Sequence, residues 1–383
     1  MKAGRKKVVM LAGGGTTYVS GGVGTFIRYL TDEWENKPDG PEIRILDTRG
    51  QGGLLRMILH FISATCYLTF CGLAGRIDVL HIHMSAYGSA VRKSVLSVLG
   101  TMLGLPVIVH MHGSNFHKFY NGLPSVARTA LRFSLNRAHC VVVLGKTWRE
   151  FLIRDLGILP HKITVIDNGV PAPLGAVRRP HSAGAAVRIV FLGQLGDRKG
   201  VPELVAALRS PRIVAKAWTA TIAGDGAVEE TAAAVAKAGL QDRIAVPGWV
   251  DRERTQKLLC EADIFILPSH FEAMPIAILE AMAHGVPVIA TPVGAIPEFL
   301  TAGQTALLVP PGDPEELAKA IERLLDHPEE RERLGSAGNR LFRERFDIRV
   351  AADRILELYD SAVQPFHRPQ SIGGTTAARR AAD

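Results

Sequence analysis

Short runs of apolar, largely β-branched residues alternate along this chain with longer stretches of helical periodicity, the pattern of parallel sheets covered by helices. In the first half the predicted strands are Lys7–Ala12, Asp78–His83, Pro106–Met111, Ala138–Leu144 and Ile163–Ile166, with helices such as Val23–Trp34 and Pro124–Asn136 between them. Asn168–Ala186 is rich in Pro, Gly, Ala and Arg, shows no clear period and reads as a linker. The alternation then restarts, with strands predicted at Val187–Leu192, Trp218–Ala223, Ile244–Val246, Ile264–Leu267, Pro287–Ala290 and Ala306–Val309. The last part is helical. Pro314–Leu325 opens with Asp313 as its N-cap and proline at the first helical position, and Val350–Ala362 closes the ordered chain. The mixed Pro, Gly, Thr, Ala and Arg composition from Gln364 onward predicts a frayed tail. The expected fold is thus α/β: two Rossmann-like domains, residues 1–170 and 187–349, joined by a linker at 171–186 and facing across a cleft. Open parallel sheets bind ligands outside the carboxyl ends of their strands, and each motif below falls at such an end.

Composition agrees with this reading. A chain of 383 residues, 47% hydrophobic and 21% charged, is the size of two globular domains with substantial cores. The four cysteines form no CxxC pair and read as reduced thiols. Val8–Ala12 is too short for a signal-peptide core, so a cytoplasmic protein is expected. The net charge of +8 is uneven: residues 1–170 carry 20 Lys/Arg against 10 Asp/Glu, and residues 171–383 carry 25 against 27. No aromatic-rich basic stripe or reading motif accompanies that charge, so nucleic acid is not an expected partner. The basic half suits an anionic membrane or a phosphate-bearing acceptor, and a merely solvated surface is the plainer alternative.

Four segments carry candidate chemistry. The first runs Gly13-Gly14-Gly15 and then Gly21-Gly22-Val23-Gly24 into a helix; glycines admit an anion to the backbone, and free helix-start amides attract it. It lacks both the full GxGxxG spacing and a Walker lysine, which argues against dinucleotide or ATP binding. The second comprises His81 with His83 and His110 with His112, each pair on one face of a predicted strand. Two such pairs suggest a metal site, but no carboxylate is near in sequence. His112 at the cleft edge is the expected functional contact, His83 the next, and His81 and His110 read as structural. The third is Gly193-Gln194-Leu195-Gly196-Asp197-Arg198-Lys199-Gly200, a glycine turn with adjacent cations suited to clamping a diphosphate.

The fourth, Phe271 to Ala290, places Pro275 at a helix start, Glu272 in the loop before it and Glu280 within the helix. Amides near Met274–Ile276 would point at an anion. Glu280 stands among Leu279, Ala281, Met282 and Ala283, an apolar setting in which a carboxylate needs partners. Sugar hydroxyls or a structural cation would both serve.

Together these segments resemble the family 4 glycosyltransferases, which have the GT-B fold and retain anomeric configuration. The resemblance runs from about residue 7 to about 362 and centres on the E-x7-E pattern, here Glu272 and Glu280. Around it, in the family's order, stand Ala223-Gly224-Asp225-Gly226, Pro247-Gly248-Trp249-Val250, Leu267-Pro268-Ser269, Pro297-Glu298 and Pro310-Pro311-Gly312-Asp313. The resemblance implies that Glu280 anchors the donor ribose, that Glu272 lies by the transferred sugar, and that Ala273, Met274, Pro275 and Ile276 supply backbone contacts. It places Gly224 and Val250 on the donor side, Lys199 on the diphosphate, Gly21 and Gly22 over the same phosphates, and His112 as the active-site histidine. It further implies that the helix at about 350–363 packs back onto the first domain. One departure is Gln194, where the family's G-R-L-x-x-x-K-G motif has arginine; either Arg198 supplies the charge or the diphosphate is held more loosely.

The implied reaction moves a sugar from a nucleoside-diphosphate sugar to a glycan or lipid-linked acceptor, in surface or exopolysaccharide assembly. No cofactor is implied, and with no Asp-x-Asp in the sequence no metal is expected. Residues 53–75 are apolar enough to approach a membrane span, yet Arg56, His60, Ser63 and Thr65 interrupt them. They read as an amphipathic helix contacting the inner membrane surface or a lipid-linked sugar, with a buried helix as the alternative. A nucleotide-sugar epimerase and a non-catalytic nucleotide-sugar-binding protein remain rival readings.

Overall fold

The computed structural model describes residues 7–13, 21–173 and 185–363. The frayed tail expected from Gln364, most of the linker and the middle of the first glycine loop lie outside the described residues. Two six-stranded parallel sheets form the cores. The first contains β1 (Val8–Gly13), β2 (Glu42–Asp47), β3 (Val79–Met84), β4 (Val107–Met111), β5 (Cys140–Val143) and β6 (Ile163–Val165), in the order β2-β1-β3-β4-β5-β6. The second contains β7 (Val187–Leu192), β8 (Trp218–Ala223), β9 (Ile244–Gly248), β10 (Ile264–Leu267), β11 (Val288–Ala290) and β12 (Leu307–Leu308), in the order β12-β11-β10-β7-β8-β9.

Helices α1 (Gly22–Glu35), α2 (Leu54–Leu73), α3 (Gly88–Met102), α4 (Phe116–Asn121), α5 (Ser125–Arg137) and α6 (Lys146–Arg154) accompany the first sheet. With the second come α7 (Val201–Leu208), α8 (Pro211–Val214), α9 (Val228–Lys237), α10 (Arg252–Glu261), α11 (Ile276–Ala283), α12 (Pro314–Asp326) and α13 (Pro328–Leu341). The last helix, α14 (Ile348–Val363), returns to the first domain. Because helices cover both faces, the central strands are apolar throughout: β1, β3 and β4 are buried at every position.

The alternation of strands and helices read from the sequence is present, with one strand more. Sequence reading passed over β2, whose Glu42 and Arg44 flank Ile43 and Ile45. It is an edge strand, open to solvent on one side, so two isoleucines between charges are all the hydrophobic signal it needs. The other departure concerns residues 168–170. Asn168 and Val170 are buried, not part of a free linker. They run beside the returning chain: Val170 N–H donates to the Phe346 carbonyl at 3.0 Å, and Ile348 N–H donates to the Val170 carbonyl at 2.9 Å. A Cβ at Gly169 would lie 2.8 Å from Ile348 Cα, so only glycine permits the approach. Next to it, Arg345 holds both carboxylate oxygens of Asp167, at 2.7 and 3.0 Å.

Beyond this crossing α14 packs against α1 and β3. The Trp34 and Tyr359 rings lie 5.7 Å apart, and the Tyr359 hydroxyl meets His81 Nδ1 at 2.6 Å. A second tie runs between the domains: the Glu298 carboxylate accepts from the Lys146 and Thr147 amides at 2.6 and 2.9 Å, capping the start of α6. On the other side of the first sheet, α2 buries only Ala64, Leu68 and Cys71. The sequence alternative of a buried helix is therefore not what forms.

Trp34 is buried at the joint between α1 and α14. Trp34→Ala should lower the stability of the first domain by about 3–5 kcal/mol, read as a shift in its urea unfolding transition.

Candidate active site

The carboxyl ends of both sheets open on one cleft of about 530 Å³. The residues nominated from the sequence line it, except His83, which lies behind His112. The first domain contributes Gly21, Gly22 and His112, and the second Arg198, Lys199, Gly224, Val250, Glu272 through Ile276, and Glu280.

One end of the cleft is built for an anion. Helix α11 starts at its edge, with Pro275 in extended conformation at the cap, and α1 starts opposite at Gly22. The two starts are close: a Cβ on Gly22 would lie 3.5 Å from Ile276 Cγ1. Free amides and the positive ends of two helix dipoles thus face the same space. Lys199 and Arg198 add cations from the turn after β7. Arg198 stands beside Gln194, its Nη2 3.4 Å from the amide oxygen, so a guanidinium does reach the cleft although residue 194 is not arginine. The loop holding Glu272 is fixed from two sides. Ala295 N–H donates to the Ala273 carbonyl at 2.9 Å, and Asn168 Nδ2 donates to the Met274 carbonyl at 2.9 Å. Gly294 takes φ +60, and a Cβ there would strike the Glu272 carbonyl at 2.0 Å. Glu272 itself accepts from Lys199 Nζ at 2.5 Å and from Ser269 Oγ at 2.7 Å.

Glu280 lies one turn into α11 and is buried. Its Oε1 accepts from the Tyr29 hydroxyl at 2.6 Å, a contact between residues 251 positions apart that joins the two domains. Arg252 sits over the Tyr29 ring at 5.1 Å while its Nη1 donates to Asp32 at 3.0 Å. Burial pushes the Glu280 carboxyl up to about 7, against the opposing pull of the Tyr29 hydrogen bond and of the Arg252 and Arg28 charges. The folded chain therefore binds this proton more tightly than the unfolded chain. The stabilisation it gives is complete below the ordinary 4.5 and lost as pH rises through about 7.

The four histidines form a stack beneath the cleft. His112 Nε2 and His83 Nδ1 share a hydrogen bond of 2.9 Å, and His110 and His112 ring centroids lie 4.2 Å apart. Burial pushes His112 down to about 3, so the ring is neutral near pH 7. His83 thus orients the functional candidate from behind, and His81 and His110 are fully buried within the sheet. Among the described residues, His81, His83 and His110 are the group with metal-ligand spacing, their nitrogens all within 4.8 Å of one another. That group lies behind His112, and it does not line the cleft.

Sequence reading missed Tyr29, Arg252 and Asn168, and quoted the exposed Trp249 only within a motif; all four line the cleft. Tyr29 had a faint signal, since Gly22, Thr25 and Tyr29 share one face of α1 at helical spacing. Asn168 was hidden by the linker-like composition that follows it.

Tyr29→Phe removes the hydrogen bond that lowers the Glu280 titration. The carboxyl should then titrate above about 7, followed by carbon NMR of the glutamate side chain. Loss of this bond should also cost about 1.5–3 kcal/mol in urea unfolding at neutral pH without nucleotide.

Two family models match the chain. Residues 20–172 match "Glycosyltransferase Family 4" and residues 186–327 match "Glycosyl transferases group 1". An alpha-D-kanosaminyltransferase of Streptomyces kanamyceticus is 25% identical over 296 residues, 73% of this chain and 76% of that one. An amylovoran biosynthesis glycosyltransferase of Erwinia amylovora is 27% identical over 254 residues, 64% of this chain and 61% of that one. Among solved structures, HepE of Anabaena, determined with UDP, superposes with a TM-score of 0.72 over 93% of this chain and 100% of that one, at 19% identity. That likeness speaks to the fold, which is GT-B. With one family model on each domain and named glycosyltransferases among its relatives, the chain belongs to glycosyltransferase family 4 and is a glycosyltransferase of the group 1 type.

Proposed function

We propose that the chain moves a sugar from a nucleoside-diphosphate sugar to a glycan or lipid-linked acceptor, with retention and without a catalytic metal, in surface-polysaccharide assembly. The observation that carries this reading is the arrangement along α11. Its start faces Lys199 and Arg198, and Glu280 sits four residues on, about 6 Å along the axis. That matches the reach from a diphosphate to the vicinal hydroxyls of its ribose. Glu280 would exchange the Tyr29 hydroxyl for the ribose diol, and Lys199 would exchange Glu272 for phosphate. The UDP and UDP-glucose held by HepE support a uridine donor as the first to test. The amylovoran relative supports a polysaccharide setting.

The supports for retention lie in what the first-domain wall offers. None of its described cleft-lining residues is a carboxylate placed to act as nucleophile or base from that side. A donor phosphate oxygen then takes the acceptor proton as the new C–O bond forms and the bond to phosphate breaks on the same face. Lys199, Arg198 and the amides of α1 and α11 receive the charge that develops on the leaving diphosphate. Those cations stand where a divalent ion would otherwise be required, so a chelator is expected to leave the rate unchanged.

The reading is tested by melting the protein with UDP, GDP, ADP and their sugars, since a ligand of the folded state raises the midpoint. Silence toward every nucleotide would overturn it. Glu280→Ala should cut kcat/KM for transfer by roughly a hundredfold or more, the loss of hydrogen bonds from a charged acceptor. Unchanged activity would remove Glu280 from the site. UDP-glucose affinity should rise between about pH 6 and about pH 8 as the Glu280 carboxyl ionises, and should be flat in Glu280→Gln. Proton NMR of the first product reports the anomeric configuration, and an inverted product would refute the same-face route.

A further inference from the structure

The outer layer of the first sheet presents an apolar face made by three adjacent helices. On α2, Leu54, Leu55, Ile58, Leu59, Ile62 and Phe70 are exposed; α3 adds Val91, Val95 and Met102, and α5 adds Val126 and Phe133. Helices α2 and α3 pack side by side, as do α3 and α5, so these side chains belong to one continuous surface. Leu54 is 73% exposed and Met102 80%, values that a single solvated helix in a soluble domain does not repeat across three neighbours.

The charge on this layer has one sign. Helices α2, α3, α4 and α5 contain no Asp or Glu, and residues 51–140 hold eight Lys/Arg and one carboxylate, Asp78. Asp78 is held at the base of the sheet, where its carboxylate accepts from the Val8 amide at 2.8 Å. Arg56, Arg76, Arg132 and Arg137 are exposed. Two of them lie over exposed aromatic rings of the same face: Arg76 is 4.9 Å from the Phe70 centroid and Arg137 5.1 Å from that of Phe133. An aromatic ring that seats in acyl chains beneath an arginine that stays at the headgroups is the arrangement an interfacial surface requires.

We infer that the α2–α3–α5 face docks flat on an anionic lipid bilayer. A second copy of the chain fits it poorly, because a two-fold contact would set basic surface against basic surface. A spanning role for α2 fits poorly as well. Although α2 is 20 residues long with a mean hydropathy of 1.5, its Ala64, Leu68 and Cys71 are built into the layer over the sheet, and Arg56 lies in its first turn. Helix α3 begins just after β3, at the carboxyl edge of the first sheet on which the cleft opens, and exposed Tyr87 at that start lies tilted against Phe119, ring centroids 5.3 Å apart. An acceptor presented at the bilayer surface would therefore meet the cleft at its first-domain rim.

The test is sedimentation of the full chain with vesicles of phosphatidylcholine alone or mixed with phosphatidylglycerol. Binding to the anionic vesicles should exceed binding to the neutral ones by roughly tenfold or more, and should fall as salt is raised. The variant Leu55→Glu/Leu59→Glu/Ile62→Glu should lose the binding, and Arg56→Glu/Arg76→Glu should lose the preference for anionic lipid. Both should keep the wild-type melting temperature and its nucleotide response, because the substituted side chains are exposed. Protein bound to vesicles should be released by alkaline carbonate. Failure to sediment, equal binding to both lipids, retention of binding by the glutamate variants, or resistance to carbonate would each overturn the inference. So would light scattering that shows a stable dimer unable to bind vesicles.

Discussion

Charge buried at the mouth of two parallel sheets has to be satisfied by the protein itself, and the whole cleft is arranged around that requirement. Lys199 is paired with Glu272 and Glu280 with the Tyr29 hydroxyl, while Arg252 and Asp32 pair at the exposed rim. Two of these three pairs reach from one domain to the other. A ligand that engages Lys199 or Glu280 therefore exchanges partners with Glu272 or the Tyr29 hydroxyl. The same pairs bias the relative position of the domains, so occupancy of the cleft and its degree of closure share one set of contacts.

The scaffold that makes this possible is stiff where the chain crosses and open where it binds. Residues 167–170 and 345–348 run together, tied by backbone hydrogen bonds and the Asp167–Arg345 pair. Glu298 fastens the second domain to the start of α6. Asn168 belongs to both systems: it lies in the crossing, and its side chain holds the Met274 carbonyl in the loop that carries Glu272. The histidine stack performs a similar service on the opposite wall, where His83 fixes the ring of His112 and His81 reaches α14 through Tyr359.

Much of the fold was legible because its signals are local. Fully covered parallel strands are apolar along their length, and a helix start needs only a cap and a permissive residue. The strand that escaped, β2, is the one at an edge, where burial demands little of the sequence. The candidate site was legible to the extent that it sits in loops at strand ends. Glycine turns next to cations, and a glutamate in an apolar stretch, are visible one residue at a time. Arg252 is an ordinary helix residue until the fold sets it against Asp32, and Tyr29 carries no mark beyond its helical spacing from Gly22 until the fold sets it against Glu280.

By itself, the sequence determined the two-domain α/β plan, through its alternation of apolar runs and helical stretches, and it carried the motifs by which the chain resembles its family. The residues nominated for the cleft came from those motifs and from that resemblance. The tertiary structure decided which of those residues neutralise one another, how the chain crosses between domains, and that α2 shares an exposed apolar face with α3 and α5. These depend on contacts between positions far apart in the chain, as with Tyr29 and Glu280, whose pairing exists only once both sheets have formed and faced each other.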